Sequence, residues 1–262
     1  MSKFGHVDTA VGPEARRRKG HQVPRDTERA DRILDAAGEL LLRHGYRKVT
    51  IDDVARQAHV GKGTVYLHWK TKVALFQSLL VRESIALVED LRGGLRADPN
   101  EVRPHRLLRL AYLTTFRRPL ALALVTGDVE MLGELRRRSS GDQADDEWMQ
   151  AINERFFSVL AESGLLRTDV PDLAYTLNAA ALGFFLADDY KPALSGIDRE
   201  QKADALAHTI RHAFEPPGAP DAAAVHAVAD RVDALLTELI TRYRELFTAL
   251  DAANAPVKPT DH

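Results

Sequence analysis

Apolar residues recur along this chain at three- and four-residue intervals, the pattern of amphipathic helices, and the strict alternation of a half-buried strand is missing. The first stripe is Ile33, Ala37, Leu40 and Leu41, on a helix that begins near Thr27 and closes near His44, with Gly45 as its C-terminal stop. Thr50-Ile51-Asp52-Asp53 opens a second helix. The Thr50 hydroxyl can accept the third helical N–H while Asp53 reaches back, an acidic capping box, and Val54, Ala55 and Ala58 form the buried side. His59-Val60-Gly61 is a tight break, and Lys62 to His68 form a short third helix. A fourth begins near Thr71, continues through Ala74, Leu75, Leu79 and Leu87 to Leu91, and is expected to stop at Gly93-Gly94.

Beyond the polar stretch Ala97–Asn100 the pattern predicts helices over 103–117, 119–137, 144–163, 171–189, 199–214 and 221–250. Pro104, Pro119, Ser139-Ser140-Gly141, Gly164, Pro171, Pro192 and Pro216-Pro217 separate them. The expected class is all-α. Residues 1–25 form a flexible basic arm, 26–76 a three-helix head, 77–214 a helical body joined through the fourth helix, and 215–262 an added amphipathic helix and tail. In that last helix Val225, Val228, Val232, Leu235, Leu239, Leu246 and Leu250 make a heptad-like stripe, which could extend a dimer interface or fold back over the body.

Charge sharpens this division. Residues 1–76 carry 15 Lys and Arg against 9 Asp and Glu, a net +6, and the remainder carries −8, although the chain as a whole is only −2. A basic head on an acidic body suits a protein with one end on a polyanion. With no cysteine there is no disulfide, thiolate metal site or thiol nucleophile. No apolar run is long enough to span a bilayer and the N-terminus lacks a signal-peptide core, so a cytoplasmic location off the membrane is expected.

Two short helices joined by a three-residue break, with a helix on each side, describe a DNA-reading head: the first braces on the duplex and the second enters the major groove. Lys62 supplies charge at the start of that second helix, Thr64 a hydroxyl for phosphate, and Gly63 a close backbone approach. Tyr66 offers a ring and a phenolic O–H, and His68 and Lys72 fall where the next turn would cross phosphates. Arg16-Arg17-Arg18 in the arm could enter an adjacent minor groove, or form a solvated charged tail.

The run from Gly45 to Phe76, GYRKVTIDDVARQAHVGKGTVYLHWKTKVALF, resembles the DNA-binding region of the TetR family. Gly45, Tyr46, Thr50, Val54-Ala55, Ala58, Val60, Gly63-Thr64-Val65-Tyr66, His68, Lys72 and Leu75 match its pattern. His59 stands where that pattern has glycine and Gly61 where it has Ser or Thr, so the turn is expected to be slightly strained. The resemblance implies a reading edge of Thr50, Lys62, Gly63, Thr64, Val65, Tyr66, His68, Trp69 and Lys72. Within it Val65 also holds the helices together and Trp69 is a core wedge.

The same resemblance implies a homodimer on a palindromic double-stranded DNA operator, with helices 171–189 and 199–214 forming a four-helix interface. The expected mode is a repressor released by a small lipophilic or aromatic effector; an activator is the alternative within the fold. Large residues on the body helices, Tyr112, Phe116, Met131, Trp148, Phe156, Tyr175 and Phe184, either line an effector chamber or simply pack. A helical scaffold without DNA binding is the alternative of a different class. No catalytic residue, cofactor or metal is expected: the Gly61-Lys62-Gly63-Thr64 run lacks the spacing of a phosphate loop. His208 and His212, four apart, have no third ligand beside them and read as a polar face.

Overall fold

The computed structural model describes residues 25–132, 135, 143–190, 196–218 and 220–254, and among them every regular element is helical. The arginines at 16–18 lie outside the described residues. Helix α1 spans Arg25–Lys48 but breaks at Gly45, whose φ of 71° is a left-handed conformation that glycine adopts without steric cost. Helices α2 (Ile51–Gln57), α3 (Lys62–His68) and α4 (Lys72–Ala97) follow. A 3₁₀ turn (Pro99–Val102) leads into α5 (Pro104–Phe116), α6 (Pro119–Thr126), α7 (Val129–Leu132), α8 (Gln143–Glu162), α9 (Leu173–Tyr190), α10 (Arg199–Phe214) and α11 (Ala222–Asn254).

Two expectations are corrected. Gly93 and Gly94 do not stop α4, which runs on to Ala97. A Cβ on Gly94 would lie 2.5 Å from the Leu110 Cδ2, so this glycine lets α5 approach α4, and packing outweighs its poor helix propensity. The single helix expected over 119–137 is divided at Gly127, a left-handed C-cap with φ 67°.

The buried apolar residues form two clusters. One joins α1, α2, α3 and the first half of α4, and continues onto Leu120, Ala123, Leu132 and Leu135, so the head is seated directly on the α6–α7 corner. The other fills the body between the end of α4, α5, α8, α9, α10 and the first half of α11, with Leu95, Tyr112, Leu160, Leu206 and Val232 at or below 2% exposure. Helix α11 folds back along α4, one of the two placements that its stripe allowed. Val225, Val228, Ala229, Val232 and Leu235 are its buried positions in the body core.

Candidate DNA-reading interface

Local hydrogen bonding explains how α2 and α3 are set against each other. The Thr50 hydroxyl accepts the Asp53 N–H at 3.2 Å and the Asp53 carboxylate accepts the Thr50 N–H at 3.0 Å, closing the capping box that the sequence predicts. Those bonds from Thr50, aided by the Arg56 guanidinium at 2.8 Å, hold the Asp53 carboxyl below the usual range. At the other end of α2, His59 N–H donates to the Arg56 carbonyl and Val60 N–H to the Ala55 carbonyl. This is the Schellman pattern, and it puts His59 at a φ of 55°. The strain expected from His59 in place of glycine is therefore present, about 1 kcal/mol for a residue carrying a Cβ.

Around α3 the residues sort by angle. Lys62, Gly63, Tyr66 and Leu67 form one exposed arc, Thr64 and His68 are half-buried at its edge, and Val65 faces inward with no exposure. Just past the helix, Trp69 is 2% exposed and donates its indole N–H to the Ser78 hydroxyl at 3.0 Å. Val65 and Trp69, expected at the reading edge and also as core residues, have their side chains in the core, where they anchor α3 from behind. The arc gains Leu67, which is 62% exposed and which sequence reasoning passed over. An apolar residue on the outward arc of a short polar helix was the available signal, since such a side chain suits thymine methyls.

The two lysines of the expected edge are already engaged. Lys62 Nζ donates to Asp52 at 3.0 Å, which raises the pKa of its ammonium. Lys72 Nζ donates to the Tyr46 carbonyl and lies 4.2 Å from the centre of the Tyr46 ring, and burial lowers its pKa. Lys72 thus pins the start of α4 to the segment after Gly45. Beside the edge a hollow of about 590 Å³ is lined by His44, Lys48, Arg56, Gln57 and His59, with Asp53 the acidic member of its lining. Its basic residues come from α1, α2 and the turn after α2, so no single run of sequence announced them.

The expected effector residues do not line one chamber. Tyr112, Phe116 and Phe185 close on one another, with ring centres 4.6, 5.1 and 5.8 Å apart, and Arg199 lies 4.7 Å over Phe116. Phe156 and Phe184 pack partly buried against the same cluster. Trp148 borders a surface groove along α11. Met131 belongs instead to the head cluster, because α7 leans on α1, and Tyr175 is 76% exposed on the outer side of α9. The rings of His208 and His212 lie 4.1 Å apart, tilted by 32°, on the exposed side of α10. Among the described residues no group of three or more His, Cys, Asp or Glu could hold a metal, and no helix is long and apolar enough to cross a membrane.

Residues 33–79 match the family model described as bacterial regulatory proteins, tetR family. Over 84 residues the chain is 36% identical to the HTH-type transcriptional activator FasR of Mycolicibacterium smegmatis, covering 32% of this chain and 38% of that protein. Over 78 residues it is 33% identical to the DNA-binding transcriptional repressor TetR of Mycobacteroides abscessus, covering 29% and 41%. The matched segment therefore spans about two fifths of these relatives' length. The fold extends further: NalD, the secondary repressor of the MexAB-OprM multidrug efflux pump in Pseudomonas aeruginosa, superposes with a TM-score of 0.52 at 22% identity, over 74% of this chain and all of that one.

Proposed function

With a chain that belongs to the TetR family through its N-terminal domain as the premise, we propose that this protein is a dimeric, sequence-specific DNA-binding transcription regulator, with repression as its mode. The observation that carries the reading is the division of α3: Val65, with Trp69 behind it, is fixed in the core, while Lys62, Gly63, Tyr66 and Leu67 stand out on a helix that a major groove can admit. Thr50 and His68 flank that arc and serve the phosphates, with Thr64 at its edge. The residues 26–76 act as the reading unit and 77–214 as the effector and dimer unit.

One two-turn helix covers few base pairs, so two half-sites are needed for useful specificity. The exposed face of α9 supplies a second copy with a matching surface. Tyr175, Ala179 and Leu182 follow one another at helical spacing, with Gly183 beside them, on the side turned away from the body core. An apolar effector is admitted where Tyr112, Phe116 and Phe185 now close on one another, and it favours a body conformation that spoils half-site spacing.

The test is selection of operator sequences from a random duplex pool, followed by binding across a salt series. A bipartite, palindromic consensus whose affinity collapses on Tyr66→Ala and Leu67→Ala is expected, with dimer mass lost on Leu182→Glu. Salt-dependent binding that selects no sequence would overturn the regulator reading. A reporter under the selected operator gives the sign of regulation.

A further inference from the structure

Helix α11 lies beyond what the reading unit and the body need, and its course is specific. Its first half is rooted in the body core through Val225, Val228, Val232 and Leu235. It then runs along α4, past the 3₁₀ turn and α8, and comes up to α3. Phe247, about 38 Å further along the helix than Ala222 at 1.5 Å per residue, packs half-buried against the head cluster. Charged pairs bind the same course. Asp233 accepts from Arg92 at 2.7 Å and Arg96 at 3.0 Å, and Arg244 donates to Glu89 at 2.7 Å, so that three of the charged residues of α4 are matched from α11.

A single helix linking two domains bends and swivels at its ends; two antiparallel helices packed side by side resist both. Since α4 carries the head covalently, α11 rising beside it to touch the head makes the link a double-helix splint. The head also rests on α6 and α7, and Phe247 adds a point of attachment from a different element. We propose that the tip of α11 positions the reading head on the body, with Phe247 as its positioning residue. The head's pose, and through it the tolerated spacing between half-sites, is set by this contact. The spacing clause rests on the proposed regulator function; the pose clause does not.

The chain holds no cysteine, so Arg43→Cys on α1 and Asn153→Cys on α8, both exposed, give a clean pair of spin labels. Labelled chain is diluted into unlabelled chain and the head-to-body distance distribution is read by pulsed electron resonance, in the parent, in Phe247→Ala, in Phe247→Leu and in a chain ending at Thr241. Losing a half-buried phenyl lowers the docked pose on the order of tenfold in population, so Phe247→Ala and the shortened chain broaden the distribution while Phe247→Leu restores it. On the selected operator, lengthening the spacer by one base pair weakens the parent more than Phe247→Ala, whereas a single half-site is bound equally by both. Unchanged distributions in both Phe247→Ala and the shortened chain overturn the proposal and leave the head's pose to α4 and the α6–α7 corner. If no operator emerges, the distance measurement still decides the pose. Should the shortened chain lose helical circular dichroism, Phe247→Ala against Phe247→Leu decides it alone.

Discussion

Lys62 and Asp52 face each other across the turn between α2 and α3, Nζ to carboxylate oxygen at 3.0 Å, with both side chains more than half exposed. The first cation of α3 is thus met by an anion of α2. Under the proposed function the carboxylate would be a like charge beside phosphates, and Lys62 would exchange its partner on binding.

Asp52→Asn removes the repulsion and frees the ammonium. Duplex affinity is expected to rise by roughly tenfold at low salt, with the gain shrinking as salt is added. Fluorescence anisotropy on selected and random duplexes measures it; equal affinities for parent and variant would mean the pair plays no part at the interface.

His59 holds a left-handed conformation that its Cβ disfavours. His59→Gly relieves that strain but makes the unfolded chain more flexible, which leaves a net gain of about 0.5 kcal/mol in stability. Urea unfolding of the two proteins decides it, and a loss of stability would show that the imidazole makes a contact worth more than the strain.

The adjacent glycines of α4 are expected to answer oppositely to the same change. A Cβ on Gly93 meets open space, so Gly93→Ala gains about 1 kcal/mol of helix propensity. On Gly94 it would collide with Leu110, and Gly94→Ala is expected to lose about 1–2 kcal/mol through forced repacking of α4 and α5. Thermal melts of both variants at one pH test the contrast; two variants of equal stability would mean that Leu110 turns aside without cost.

Hydrogen bonds from Arg92, then Arg96, hold the Asp233 carboxyl below its ordinary value. A depressed folded-state value means that this stabilisation is complete above the unfolded carboxyl's value near 4 and is lost as pH falls through the lower, folded one. Asp233→Asn should cost about 2 kcal/mol near pH 7 and lose less on acidification than the parent. Asp53, Asp98, Glu162 and Asp169 are held low by other partners and stay in the variant, so the difference between the two pH–stability curves is the quantity to read. Parallel curves would remove Asp233 from the acid response.

What the sequence determined by itself was local. The break at Gly45, the Thr50–Asp53 capping box, the strained turn at His59 and the inward Val65 each depend on residues within about one helical turn, where backbone hydrogen bonding and the 3.6-residue repeat leave few choices. Tertiary structure alone decided the rest. Gly94 reads as a helix stop until Leu110 approaches it; Met131 reads as a body residue until α7 leans on α1; Tyr175 reads as core until α9 turns it outward. The stripe of α11 fits a partner chain as well as its own body, and the structure seats it on α4, where Arg92 and Arg96 meet Asp233. The reason is the same in each case. Apolar burial has no direction, so periodicity tells which face of a helix is covered, and only the assembled chain tells by what.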